Sequence, residues 1–176
     1  MKTTTSVTRS FIFLFVLCLA ACKKDNNSSQ SAVASLSFKA NGTLYTWGGS
    51  TSDTSSTVTA IYRDASGLYS LGGIDLRNNG YNKLSFDITS SALQTTVYAH
   101  KGAGKTGQIG ECTLGTLSNS TNYWNSAVDD SISVTITSVD NGYFNGTFKG
   151  SITRNGGTEK LSITDGQFQR LKIINE

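Results

Sequence analysis

The nine residues AHKGAGKTG, from Ala99 to Gly107, have the spacing of a loop that binds nucleotide phosphates, with alanine in place of the first glycine. Such a loop needs a strand before it and a helix after it, because the N–H groups at the start of the helix face the phosphates. The residues that follow, QIGECTLGTL, contain two glycines and no helical pattern. We therefore expect a mildly basic surface loop here, and no nucleotide binding.

His100 is the only histidine in the chain. A Ser-His-Asp triad or a histidine-centred zinc site would depend on it alone, and no cluster of histidines and cysteines supports a metal. Glycoside hydrolysis needs only two carboxylates, which could be hidden among the 12 acidic residues. These acids form no recognisable pattern. We expect a structural His100 and a noncatalytic protein without metal or cofactor, and a cryptic glycoside hydrolase is the enzymatic alternative.

Four aromatic residues could bind a carbohydrate by stacking on sugar rings: Tyr45, Trp47, Tyr123 and Trp124. Tyr45 and Trp47 lie two residues apart, so they share one face of a strand, opposite to Leu44. If Leu44 belongs to the core, both rings point outward and could contact a ligand. The alternative is that these rings are core or rim aromatics.

From residue 33 to residue 176 the chain alternates apolar and polar residues in short runs separated by Gly, Asn, Asp and Ser. This pattern predicts one all-β domain. We expect about eight to ten antiparallel strands with local hairpin connections, closed as a β-sandwich or a barrel. Asn41-Gly42 predicts a type I′ turn, and residues 64–67 predict the turn of a second hairpin.

Alternation also predicts the core. One face of each predicted strand is apolar and the other is polar, as in a sheet packed on one side and solvated on the other. The C-terminal turns are expected at Asp140-Asn141-Gly142, Asn155-Gly156-Gly157 and Asp165-Gly166. The predicted core residues are Leu84, Phe86, Ile88, Ile132, Val134, Ile136, Phe144, Phe148, Ile152, Leu161, Ile163, Phe168, Leu171 and Ile173.

The first residues have a different composition. Lys2 and Arg9 precede an uninterrupted apolar run, FIFLFVLCL, and the small residues Ala20 and Ala21 precede Cys22. This order is typical of a secretory signal peptide, which we expect over residues 1–21. The apolar run is too short to span a membrane as a mature helix, which takes about 20 apolar residues.

The four residues Leu19, Ala20, Ala21 and Cys22 resemble the lipobox of bacterial lipoproteins. The resemblance implies that the Cys22 sulfur receives a diacylglycerol, that a peptidase cuts after Ala21, and that the new amino terminus is acylated as well. Several acyl chains on one residue suffice for stable anchoring, whereas a single chain binds only marginally. The resemblance thus implies a lipid anchor at Cys22.

A polar stretch, KKDNNSSQS, follows the cysteine, and we interpret residues 22–32 as a tether between the membrane and the domain. Lys24-Asp25 resembles part of the export signal that Bacteroidota-type lipoproteins carry to reach the cell surface. The expected location is the outer membrane, either on its periplasmic face or at the cell surface.

Removal of the signal peptide changes the charge and the cysteine count. Lys2 and Arg9 leave with residues 1–21, so 15 basic residues become 13 against 12 acidic ones and the balance falls from +3 to +1. No basic stripe remains to suggest nucleic-acid binding. Cys18 also leaves and Cys22 is consumed by lipid, which leaves Cys112 without a disulfide partner. We expect Cys112 to be a small buried apolar residue.

The domain resembles a family of small Bacteroidota lipoproteins of unknown function. The resemblance lies in three motifs: Phe38, Ala40, Asn41 and Gly42; Gly146, Phe148 and Gly150; and Ile163, Thr164, Asp165, Gly166 and Phe168. It implies a β-sandwich-like fold and no particular activity. The function expected from the sequence is therefore a noncatalytic envelope lipoprotein that contacts proteins or glycans, with carbohydrate capture during nutrient uptake as a narrower alternative.

Cys22→Ala should abolish incorporation of radiolabelled palmitate, because the thioether to the lipid can form only at this sulfur. Cys112→Ala is the matched control and should be labelled like the wild type. Autoradiography of the immunoprecipitated protein measures both. Label that is missing from the wild type, or equal in Cys22→Ala, would contradict the lipidation.

Overall fold

The computed structural model describes residues 33–50, 52, 55–77, 80–100, 107–116, 119–126 and 130–176. These residues belong to one compact unit, Ser31–Glu176. The described part contains a single short 3-10 turn, Asp64–Ser66, and no helix long and apolar enough to cross a membrane. The predicted signal peptide, Cys22 and the tether lie outside the described residues.

The described residues form eleven strands, which confirms the predicted all-β class. The strands are β1 (Ser35–Ala40), β2 (Thr43–Gly48), β3 (Ser56–Arg63), β4 (Leu68–Asp75), β5 (Lys83–Thr89), β6 (Val97–Ala99), β7 (Gln108–Thr116), β8 (Asn119–Asn125), β9 (Ser133–Asp140), β10 (Tyr143–Arg154) and β11 (Lys160–Asn175).

Short turns join many of the neighbouring strands. Asn41 and Gly42 both have positive φ, at 46° and 84°, as the predicted type I′ turn requires. Asn141 and Gly142 repeat this geometry between β9 and β10, with φ of 49° and 76°. Both turns set the register of the hairpins that they close, because a two-residue loop leaves no freedom to slide one strand along the other.

The strands follow the order β2-β1-β11-β3-β4-β5-β7-β8-β10-β9-β6. An additional pairing of β10 with β11 closes seven of them into a ring. Two of the strand pairings in this ring are short: β8 pairs with β10 at two positions, and β11 pairs with β3 at three. The architecture is therefore ring-like without being a regular barrel.

The connections are less local than the sequence suggested. Hairpins do dominate, but β1 pairs with β11, β6 pairs with β9, and β8 pairs with β10. The pairing of β11 with β3 is parallel, whereas all the other strand pairs are antiparallel. The prediction of local hairpins throughout was thus wrong, because hydrophobic alternation reports which face of a strand is buried and not which strand lies beside it.

β11 also corrects a predicted turn. Asp165-Gly166 does not end a strand, and β11 continues for 16 residues through it. Asp165 has a φ of 53°, and the registers with β1 and β10 both shift there, so the dipeptide forms a β-bulge. A bulge uses the same positive φ as a turn, but it kinks the strand instead of reversing it.

Four phenylalanines from four strands meet in the centre of the core. The Phe148 ring lies 4.7 Å from Phe168, 4.9 Å from Phe86 and 6.0 Å from Phe38, between ring centroids. Aromatic pairs at these distances stabilise a core by about 0.5–1.5 kcal/mol beyond their buried area. The predicted core residues are buried, except Ile173, which is half-buried at its edge.

Gly146→Ala should lower the free energy of unfolding by about 1–3 kcal/mol, as overpacking does in other cores. A Cβ at this position would lie 2.5 Å from the Thr135 carbonyl oxygen and 3.3 Å from the Phe168 ring. Gly110→Ala is the control, since its Cβ would meet only the Asp87 oxygen at 3.8 Å. Urea unfolding followed by circular dichroism measures both, and equal losses would contradict the packing described here.

Cys112 should resist alkylation in the native protein. Its side chain is fully buried, and burial raises the pKa of its thiol well above the usual range, so both access and thiolate are lacking. Maleimide at neutral pH should label the chain only in denaturant, as measured by mass spectrometry. Thr95→Cys in a Cys112→Ala background is an exposed control that should label at once. Rapid native labelling of Cys112 would show that β7 is not packed as described.

Candidate functional site

The aromatic residues predicted to face a ligand are mostly inside the core. Trp47 is 0 % exposed and Tyr45 is 9 % exposed, whereas Leu44 is 64 % exposed. Leu44 is therefore not a core residue, and the alternative that Tyr45 and Trp47 are core aromatics holds. The reason lies in the register, which pairs Trp47 with Leu36 and Tyr45 with Phe38, so the four side chains share the buried face.

The second aromatic pair, Tyr123 and Trp124, does not form an exposed surface either. Trp124 is 5 % exposed and Tyr123 is half-buried. Tyr81 lies 5.7 Å from Tyr45 between ring centroids and forms a hydrogen bond with Trp124, and burial raises the pKa of Tyr81. The structure thus links Tyr45 and Trp124 through Tyr81, but as part of the packing. Neither tryptophan presents a face on which a sugar could stack.

His100 has a structural environment. It is buried, its backbone N–H donates to the Ile132 oxygen at 2.9 Å, and its Nδ1 lies 3.1 Å from the Ile109 oxygen. Residues 101–106 of the phosphate-loop pattern lie outside the described residues. The segment after Gly107 is strand β7, in agreement with its lack of a helical pattern, whereas a phosphate cradle requires a helix at this position.

Three carboxylates hold strands or turns in place. Asp75 accepts hydrogen bonds from Nε and Nη2 of Arg77, at 2.9 and 2.8 Å. Asp87 accepts one from Ser70 at 2.8 Å. The buried Asp130 accepts bonds from the backbone and hydroxyl of Thr153, both at 2.9 Å, and from Lys160 at 3.3 Å. These acids are engaged in structural contacts.

The outer face of the sheet carries a row of neutral polar residues across five strands. Direct cross-strand partners place Thr46 beside Ser37, Ser37 beside Gln167, Gln167 beside Thr147, and Thr147 beside Thr135. Partners of this kind lie on the same face of a sheet. Because neighbouring strands are about 4.8 Å apart, the row spans about 19 Å. We call these five residues the polar row.

Two adjoining concavities of about 440 and 500 Å³ lie over the end of this row formed by Gln167, Thr147 and Thr135. They share Thr147 and Gln167 in their walls, and together we call them the polar trough. Both volumes fall within the range of known ligand sites, about 300–1,000 Å³. The polar side chains that line the trough are Ser133, Thr135, Thr137, Asn145, Thr147, Lys149, Asp165, Gln167, Gln169 and Arg170.

Arg170 lies at a second bulge of β11, where the register with β10 shifts opposite Asn145. Its φ is 51°, and its backbone N–H donates to Asn145 Oδ1 at 2.8 Å. Asn145 Nδ2 in turn donates to the Ser138 hydroxyl at 2.8 Å. The guanidinium carbon lies 4.7 Å from the centre of the Tyr143 ring, within the range of a cation–π contact. No sequence motif distinguishes these residues from the other members of a solvated face.

Asp165 is the one carboxylate among the residues that line the trough, and it is neutralised by a neighbour. Lys39 Nζ lies 2.8 Å from its Oδ2, and this hydrogen bond raises the pKa of Lys39. Lys149 and Arg170 contribute the positive charge of the trough. The described lining therefore has a net positive character over a mainly neutral polar surface.

A separate apolar groove of about 340 Å³ lies on the outer face of β3, β4 and β5. Ile61, Ile74 and Ile174 form its walls, and Ile74 and Ile174 are 36 % and 46 % exposed. Gly72 forms part of its floor and has no side chain that would fill the groove. A Cβ at this position would clash with the Leu84 carbonyl of the adjacent strand. Lys83 lies at its margin. We call this feature the apolar groove.

No external relationship identifies either surface. Within the described ranges, no group of three or more His, Cys, Asp or Glu residues could hold a metal ion. Comparisons with models of known protein families, with curated proteins and with solved structures find no match for this chain.

Proposed function

We propose that this protein is a lipid-anchored lipoprotein of the outer membrane whose β-domain binds a saccharide chain along the polar trough without catalysing a reaction. The observation that carries the binding role is the polar row, which places hydroxyl and amide groups of five strands in one line.

The anchoring part of the proposal is supported by the order of features at the start of the sequence. A basic segment and an apolar run follow each other as in a secretory signal peptide, and the residues Leu19 to Cys22 that come next resemble a lipobox. The polar residues that follow suit a tether, and the strands begin at Ser35. The orientation on the membrane, periplasmic or external, is not needed for the binding role.

The binding part is supported by the chemistry of the trough. Sugars present hydroxyl groups, which pair with the hydroxyls of threonine and with the amides of asparagine and glutamine. A row about 19 Å long suits an extended chain better than a compact ligand. Since each hydrogen bond to a neutral group stabilises a complex only modestly, a useful affinity requires several of them, which a chain can make along the row.

A noncatalytic role is supported by the acids. Glycoside hydrolases use a pair of carboxylates on either side of the scissile bond. The described lining of the trough contains one, Asp165, which is bound by Lys39. The remaining acids described above hold strands and turns together.

The second candidate function is contact with another protein through the apolar groove. The exposed Ile74 and Ile174 beside Ile61 favour it, because adjoining exposed apolar side chains are typical of protein interaction sites. A saccharide would find few hydrogen-bonding partners there.

The double variant Thr147→Val, Gln167→Ala should weaken saccharide binding by about tenfold, since it removes two hydrogen-bonding groups worth about 0.5–1.5 kcal/mol each. Both side chains are exposed, so stability should be unchanged. A glycan array with the full lipidated chain in detergent identifies the saccharide, and calorimetry measures its affinity. Fluorescence quenching is unsuitable because both tryptophans are buried.

Ile74→Thr in the apolar groove is the matched control, and it should leave saccharide binding unchanged. An array without any binding, or equal weakening by Ile74→Thr, would overturn binding in the trough. Loss of a protein partner in Ile74→Thr alone would establish the second candidate function instead.

A further inference from the structure

We propose that the saccharide bound in the polar trough carries a carboxylate, and that Arg170 is the residue that binds it. This inference rests on the proposed function, because it assumes that the trough binds a saccharide. What carries it is the position of one uncompensated guanidinium beside a surface of neutral hydroxyl and amide groups.

Arg170 differs from the other described arginines in its charge environment. The other three each form an ion pair with a carboxylate. The pairs are Arg63 Nε with Glu176 Oε2 at 3.4 Å, Arg77 Nη2 with Asp75 Oδ2 at 2.8 Å, and Arg154 Nη1 with Glu159 Oε2 at 3.1 Å. Arg170 forms no ion pair with any residue that the structure describes, and its buried Nε has no hydrogen-bond partner there. The guanidinium is therefore available to pair with an anion from outside the chain.

The backbone of Arg170 is a second independent observation. Among the described residues, four that are not glycine have positive φ: Asn41, Asn141, Asp165 and Arg170. Asn and Asp tolerate this conformation because their short polar side chains bond locally, whereas a long side chain gains nothing from it. The conformation at position 170 is unfavourable for arginine, and such strain concentrates at functional sites.

The neighbours of Arg170 fix both its backbone and its side chain. The Asn145 side chain accepts the Arg170 N–H, and the Tyr143 ring supports the guanidinium at 4.7 Å. An arginine held against an aromatic ring is pre-organised, so less rotamer freedom is lost when it binds a ligand. Bulges are known to re-aim side chains in this way at binding sites.

The remaining chemistry of the trough selects the ligand class. A guanidinium matches a carboxylate with two parallel N–H···O bonds. Gln167, Gln169 and Thr147 lie in the same trough and match hydroxyl groups. A ligand that presents both a carboxylate and many hydroxyls is an acidic saccharide, such as an oligomer of hexuronic acid units.

The test uses three oligomers, of galacturonate, mannuronate and glucuronate, each beside its methyl ester, which keeps the chain and removes the charge. Calorimetry with the full lipidated chain in detergent at about 0.15 M salt limits non-specific attraction. At least one acidic oligomer should bind about tenfold or more tighter than its ester, the effect expected of a charge-assisted hydrogen bond.

Arg170→Asn should lose most of the preference for the acidic oligomer over its ester, with only the charge of Lys149 left in the trough. It should remain folded, because asparagine tolerates the positive φ. Arg170→Lys keeps the charge but loses the planar fork, and it should retain part of the preference. Lys83→Gln removes an equal charge at the margin of the apolar groove, and it should bind like the wild type. Thermal melts confirm that each variant is folded.

Equal binding of acid and ester by the wild type would overturn the inference, and so would an unchanged preference in Arg170→Asn or an equal loss in Lys83→Gln. Binding of neutral saccharides that depends on Gln167, with no preference for the acids, would overturn the role of Arg170 and leave the proposed function intact. Absence of any saccharide binding would overturn both.

Discussion

The long strand β11 is the element on which the rest of this fold depends. It pairs with β10 from Lys160 to Lys172, with β1 from Ile163 to Gln169, and with β3 from Ile173 to Asn175.

A straight strand alternates its faces strictly, so the five-residue spacing from Ile163 to Phe168 would send one of them to solvent. The two bulges add the residues that restore the alternation. They keep Ile163, Phe168 and Leu171 buried, and they place two successive residues, Gln169 and Arg170, opposite the single residue Asn145. The same two bulges therefore determine which side chains pack in the core and which line the trough.

The acidic residues and the polar row differ in what their side chains contact. Its described acids are mostly committed to arginines, lysines or hydroxyl groups that hold strands together, as Asp75, Asp87 and Asp130 illustrate. A carboxylate that is fixed in this way stabilises the ring of strands but is poorly placed to transfer a proton to a ligand, since it would have to give up its partner. The polar row consists instead of hydroxyl and amide groups that carry no charge at neutral pH. On the proposed function, this division suits a surface that binds a saccharide without transforming it.

Much of the fold follows from the sequence, and the errors have physical causes. Alternation located most strands and nearly the whole core, because burial of one face is a local signal. The orientation of Trp47 was left between two alternatives although the sequence could decide it: a two-residue turn at Asn41-Gly42 places Trp47 opposite Leu36, which is buried. The odd spacings between Ile163, Phe168 and Leu171 likewise indicate bulges in place of a turn.

The parallel pairing of β11 with β3 had no such signal, since it joins residues that are far apart in the chain. The trough was missed for the same reason, because cross-strand neighbours from five strands create it.

On the proposed function, the anchor and the trough depend on each other. A surface made of neutral hydrogen-bonding groups binds each segment of a saccharide weakly, because every contact replaces an equivalent contact with water. Copies of the domain held by lipid in one membrane share a high local concentration, so a long saccharide that reaches several copies is bound far more tightly than by one. The guanidinium of Arg170 then contributes selectivity where the neutral groups cannot, since hydroxyls and amides accept most sugars alike. On this proposal, weak contacts repeated over many anchored copies, with Arg170 to discriminate among ligands, let a small domain with a shallow trough act as a receptor.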